Sequence, residues 1–182
     1  MSARNYSRTI LLLFILGILQ SCSQGSNTPK PSAYPRIDLP ERNYELYKDS
    51  CPFSFEKPVY SELVPSDDDM DCWFNLYYKP FNARLYISYF DLKENDTLFY
   101  MLTEETRNLV YKHTVRANEI DESLIRTNSG INGIYYNLGG NTASAIQFFL
   151  TDSTDNYLRG SLYFRSKSNR DSLKPMINFL EK

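Results

Sequence analysis

SAIQFFLT at residues 144–151, DSTDN at 152–156 and YLRGSLYF at 157–164 form the stretch that decides the fold. Two short runs rich in aromatic and aliphatic residues flank five residues of turn material. That pattern predicts adjacent strands joined by a tight connection. In the second run Leu158, Gly160, Leu162 and Phe164 share one face, as a period of two requires. Working backwards, Ile131 to Leu138 and Glu119 to Thr127 read as two more strands. Their breaks are Gly139-Gly140-Asn141 and Ser129-Gly130.

Further upstream the same reading continues. From Cys72 to Lys79 the alternating set is Cys72, Phe74, Leu76 and Tyr78. Ala83, Leu85, Ile87 and Tyr89 then alternate with Arg84, Tyr86, Ser88 and Phe90, after a hairpin-like connector at Pro80-Phe81-Asn82. Asn95 or Asp96 is positioned to cap a helix running to about Ala117, with Leu98, Leu102, Leu109 and Val110 on its apolar face. A closing helix carries Leu173, Met176, Ile177 and Leu180, and Pro175 fits only its first turn, so the expected cap is Asp171 or Ser172. The order β-β-α-β-β-β-β-α with short turns predicts an α+β domain. Its twisted antiparallel sheet of about six strands is covered by two helices, best fitted by an α/β/α sandwich. The element order resembles the PsbP/Mog1 arrangement. Pro40, Pro52, Pro58 and Pro65 punctuate residues 35–71, which read as an irregular segment packed along the surface through Tyr44, Leu46, Tyr47, Phe53, Phe55, Val59 and Tyr60.

The first residues carry an address. Arg4 and Arg8 precede an apolar stretch from Ile10 to Leu19, about ten residues long, where a bilayer span needs about twenty. Leu19-Gln20-Ser21-Cys22 then matches the pattern read by the bacterial lipoprotein pathway. The reading is a signal peptide at 1–21, lipid attachment at Cys22, a Ser-, Gly- and Pro-containing tether at 22–34, and one domain at 35–182. A flexible dozen residues averages roughly 20 Å end to end.

The 182 residues include 15 Tyr and 11 Phe, a supply suited to core packing and to interfaces. Net charge is −2, and loss of Arg4 and Arg8 makes it −4. A mildly acidic chain without a basic patch argues against nucleic acid as a partner. Past Cys22 two cysteines remain, Cys51 and Cys72, in a compartment that permits oxidation. A Cys51–Cys72 disulfide is expected; the alternative is two buried thiols.

Motifs for chemistry are sparse. His113 is the one histidine, which excludes a histidine-based zinc cluster, and its place four residues after Leu109 suits packing. Asp67, Asp68, Asp69 and Asp71 form an acidic run without the spacing of a calcium loop. Ser54 and Lys57 match Ser-x-x-Lys between prolines, where a helix is disfavoured. Gly139-Gly140-Asn141-Thr142 offers backbone donors but reads first as a turn. No metal ligand set, catalytic residue or cofactor motif emerges. Asp96-Thr97-Leu98, Asp152-Ser153-Thr154 and Asp171-Ser172-Leu173 resemble the short O-glycosylation pattern of Bacteroidetes, with Ser153 best placed because it lies in a turn.

The segments 51–60 (CPFSFEKPVY), 72–78 (CWFNLYY), 107–117 (RNLVYKHTVRA) and 147–164 (QFFLTDSTDNYLRGSLYF) resemble GldD, the gliding-motility lipoprotein family of Bacteroidetes. The resemblance extends over most of the chain past Cys22. It implies a role in gliding and in the associated type IX protein secretion machinery, and a lipidated cysteine at Cys22. It supplies no catalytic residues. Ser23 to Asn27 lack the acidic residues that tend to follow the lipidated cysteine of surface-exported lipoproteins in this phylum, so a periplasm-facing domain is expected. The leading reading is a non-enzymatic, membrane-anchored accessory protein that binds other gliding and secretion proteins of the envelope. The rivals are a periplasmic enzyme of unrecognised type and a small-ligand or glycan-binding lipoprotein.

Overall fold

The computed structural model describes residues 38–66, 68, 70–165 and 170–181. The signal peptide, Cys22 and the tether lie outside the described residues, as do Asp67 and Asp69. Among the described residues nine strands form in order: β1 (Tyr44–Lys48), β2 (Ser54–Pro58), β3 (Ser61–Pro65), β4 (Phe74–Tyr78), β5 (Ala83–Asp91), β6 (Ile120–Arg126), β7 (Asn132–Leu138), β8 (Ser144–Thr151) and β9 (Asn156–Phe164). Helix α1 (Asp96–Tyr111) follows β5, and α2 (Arg170–Leu180) follows β9. The main sheet has seven strands in the order β3-β4-β5-β9-β8-β7-β6, every neighbour antiparallel, and β1 with β2 makes a separate two-stranded sheet.

The α+β antiparallel architecture agrees with the sequence reading, and the leading segment corrects it. Residues 35–71 hold three strands, one of which joins the main sheet and raises it from about six strands to seven. The prolines did not break these strands. Pro58 and Pro65 are the last residues of β2 and β3, positions where a missing N–H costs no internal ladder bond. Tyr47, Phe53, Phe55 and Tyr60 pack against the main core, which holds the segment on the sheet.

Period-two alternation divides the residues of β9 between two cores. Tyr157 faces α1, with Phe149 stacked on it at 5.1 Å between ring centroids and Leu102 of the helix beside them. Leu158, Leu162 and Phe164 face the other way, towards Leu173, Ile177 and Phe179 of α2. The helices therefore lie on opposite faces of the sheet. Tyr157 is fully buried, so its hydroxyl needs partners, and it has two: Thr106 Oγ1 at 2.8 Å and the Leu102 carbonyl at 3.2 Å.

The cap of α1 is as expected, while the end of α1 and the start of α2 differ. Asn95 is the cap of α1, its Oδ1 accepting from the Leu98 N–H at 3.0 Å. The α-helix stops at Tyr111 and tightens into a 3-10 turn at Lys112–Val115, short of Ala117. There Thr114 Oγ1 donates to the Tyr111 carbonyl, one of the carbonyls left open at a helix end. Helix α2 begins at Arg170, ahead of the expected cap at Asp171 or Ser172, so Pro175 lies inside it. The buried set Leu173, Ile177 and Phe179 compensates for the donor lost there.

Candidate functional site

Seven strands at about 4.8 Å spacing span roughly 29 Å, while a helix with its side chains covers about 10 Å. On the α2 face the short helix and the β1–β2 hairpin together leave sheet uncovered. The gap is an apolar groove of about 470 Å³, floored by Leu76, Leu85, Ile87, Phe148, Leu150 and Leu158. The β1–β2 turn and β2 form its wall through Pro52, Phe53 and Phe55. A second lobe of about 240 Å³ shares Leu85, Phe148 and Leu150 with the first and runs on to Ile125, Tyr135 and Leu180.

Two local features shape the floor. Gly160 lies beneath the Phe148 ring, and a Cβ there would sit 2.2 Å from it, so the ring can lie flat across β9 only over glycine. The disulfide joins Cys51, in the β1–β2 turn, to Cys72, just before β4, with Cα atoms 5.6 Å apart. It ties the wall to the sheet. Beside it Trp73 Nε1 donates to the Tyr89 carbonyl at 2.7 Å, and Phe53 packs 5.4 Å from the Tyr89 ring. The expected Cys51–Cys72 pairing is thus present.

The groove is rimmed by acids. Glu56 and Asp152 line the first lobe and Glu181 the second, and among the described residues no Lys or Arg lines either. Burial works to raise the Asp152 carboxyl, but hydrogen bonds from the Asn156 side chain and from the backbone N–H groups of Asn156, Thr154 and Asp155 outweigh it. They hold the group well below the usual carboxylate range. Glu181 Oε1 accepts from the Tyr135 hydroxyl at 2.6 Å and from Asn137 Nδ2 at 3.0 Å. Thr151 and Asp152 are thus fixed by the β8–β9 turn rather than poised for reaction: Thr151 Oγ1 donates to the Asn156 carbonyl and accepts from the Ser153 N–H. The arrangement suits binding of apolar matter with basic flanks.

The other sequence candidates fall away from one another. Ser54 and Lys57 lie on strand β2, and Lys57 pairs with Glu45 across the hairpin. His113 is half-buried in the 3-10 turn after α1, where desolvation lowers its pKa. Gly140, at φ +86°, packs against the loop at 116–118, where a Cβ would come 2.4 Å from Asn118 Oδ1, so the Gly-Gly turn is closed rather than a ligand cradle. Of the acidic run, Asp68 and Asp71 are described, and no metal-holding group forms among the described residues. Ser153 is exposed in the β8–β9 turn. The groove itself was not read from sequence. Its signal was an alternation that made both sheet faces apolar with too little helix to cover them.

The family model for the gliding motility lipoprotein GldD matches residues 24–182. No curated protein matches the chain.

Proposed function

The chain belongs to the GldD family of gliding motility lipoproteins, and from that premise we propose that it serves gliding and the associated type IX secretion machinery by binding other envelope proteins from the periplasmic side. The family is one of motility lipoproteins, not known as enzymes, and its membership makes this a lipid-anchored envelope protein. In the proposal residues 1–21 are removed, Cys22 carries the acyl chains, 22–34 form the tether and 35–182 the working domain. Ser153, exposed in its turn, is the proposed O-glycosylation site.

The groove is the observation that carries the reading. An apolar floor framed by a cross-linked wall and rimmed by Glu56, Asp152 and Glu181 is complementary to a partner segment with an apolar face and Lys or Arg at its ends. Helices on opposite sheet faces support the α/β/α reading of the fold, with its PsbP/Mog1-like order.

The test uses the full chain in gliding cells. A photo-crosslinking residue at Leu150 should capture a gliding or secretion protein of the envelope, and one at Val115, an exposed site away from the groove, should not. Leu150→Arg should abolish that product while the protein still accumulates, and should impair gliding and secretion together. Equal products at both positions, or normal motility with Leu150→Arg, would refute the groove as the partner site. Loss of metabolic palmitate labelling in Cys22→Ala tests the anchor.

A further inference from the structure

The sheet face opposite the groove carries the strongest chemistry not yet used. Across three adjacent strands Tyr77, Arg84 and Tyr163 stand in register, followed by Tyr86 beside Ser161 and Ser88 beside Arg159. None of these residues belongs to the core clusters that the helices close. The Arg84 guanidinium lies 6.0 Å from the Tyr77 ring and 5.8 Å from the Tyr86 ring. Arg159 lies 5.6 Å from the Phe90 ring. The Tyr86 and Tyr163 rings meet edge to face at 5.5 Å and link the two arginines into one strip. Burial raises the Tyr163 pKa, Tyr86 adds to the rise, and the Arg159 charge pulls it back, as proximity to that cation requires.

One nitrogen of each guanidinium lacks an acceptor. Arg84 Nε and Arg159 Nη1 are buried, and among the described residues neither has a hydrogen-bond partner. Glu105 Oε2 stands 3.7 Å from Arg159 Nη1, within ion-pair range but too far for a hydrogen bond. The Arg159 side chain is 15% exposed. Aromatic faces offer cations attraction but no hydrogen-bond acceptor of carboxylate or phosphate strength. A buried charged donor left unsatisfied is costly, and in native proteins it calls for an explanation.

We infer that this strip binds an oxyanion of the phosphate class, with Arg84 and Arg159 as its donors and Tyr86 as its movable cover. A carboxylate has two oxygens, which one guanidinium fork satisfies; a phosphate has oxygens enough for forks from two strands. Tyr86 is 40% exposed with its ring beside the Arg84 guanidinium, and in the inference it is the side chain that turns aside for the ligand. Glu105 competes with the ligand for Arg159. The inference concerns the face opposite the groove and stands apart from the partner-binding proposal.

The experiment titrates the full-length lipidated protein, in neutral detergent, with inorganic phosphate and with short-chain phosphatidylglycerol, phosphatidylcholine serving as control. Saturable binding of phosphate is expected, weakened at least tenfold in Arg84→Gln and in Arg159→Gln and strengthened severalfold in Glu105→Gln. Binding of phosphatidylglycerol as well assigns the site to a membrane headgroup; binding of phosphate alone assigns it to a soluble ligand. In the wild type, phosphate should slow arginine-directed modification of Arg84 and Arg159, read by peptide mass. That measurement stands even if the arginine variants misfold. Absence of saturable binding by both probes, no protection of either arginine, or unchanged affinity in folded arginine variants overturns the inference.

Discussion

Removing the cross-link should separate the groove wall from the sheet. The disulfide joins residues 21 positions apart. Closing a loop of that size removes chain entropy from the unfolded state equivalent to about 3 kcal/mol at 25 °C. For a domain of this size a loss of that order lowers Tm by about 10 °C. The hairpin keeps other anchors, since Tyr47 and Phe55 pack on Phe74 with ring centroids 5.5 and 5.7 Å apart. The double variant Cys51→Ser/Cys72→Ser should therefore fold, with a lower urea midpoint and a slope no shallower than the wild type's, since the unfolded chain without the bond is more expanded. The chain's single tryptophan, Trp73, adjoins Cys72 and reports on this junction by fluorescence, while circular dichroism reports on the sheet. The Trp73 transition should fall at or before the sheet transition, and proteolysis should open residues 49–53 first. An unfolding free energy within about 0.5 kcal/mol of the wild type would refute the claim that the bond constrains this loop.

Three further outcomes are expected. Asp152→Ala should cost about 2 kcal/mol at pH 7, since one charged acceptor serves several donors of the β8–β9 turn. The folded carboxyl titrates below its unfolded value near 3.9, so this contribution is complete above that pH and fades as pH falls through the folded value; urea midpoints at pH 7 and pH 3 should show the gap between wild type and variant closing. Gly160→Ala should cost about 1–3 kcal/mol by pushing the Phe148 ring off the floor, and a Phe148→Ala background should recover much of it in a double-mutant cycle. Tyr157→Phe should cost about 1–2 kcal/mol in thermal unfolding, because it leaves Thr106 Oγ1 buried beside a ring edge, and adding Thr106→Val should restore part of that.

Where local chemistry decided structure, the sequence was readable. Leu158, Leu162 and Phe164 announced their shared face, Asn95 its cap, and Cys51 and Cys72 their bond. Proline misled at residues 35–71, because Pro58 and Pro65 end strands in the same place where they would end any regular element; their role depends on the partner opposite, Tyr44 or Phe74. The extent of α2 was obscured by Pro175, whose local cost is offset by tertiary burial of Leu173 and Ile177. The groove and the arginine strip belong to a further level. Phe148 and Gly160 are 12 residues apart in sequence and meet only through the β8–β9 register, and Arg84 and Arg159 share a face only because β5 lies beside β9. Single-sequence periodicity assigns faces to each strand, but it does not order the strands.

That order has a consequence for how the chain assembles. β9 is made last among the strands yet lies between β5 and β8. A chain that emerges from its N-terminus first can build β3-β4-β5 and β6-β7-β8, but each half then presents a bare edge where β9 belongs. The link between the halves spans long sequence distances: Tyr89 of β5 donates to Asn156 of β9 at 2.9 Å across 67 residues. Closing such contacts is slow, because the chain entropy of the loop is lost before the contacts form. A nascent or partly translocated molecule therefore holds two unfinished half-sheets until residues 156–164 are free, and truncation before β9 leaves both halves with exposed edges rather than a smaller domain.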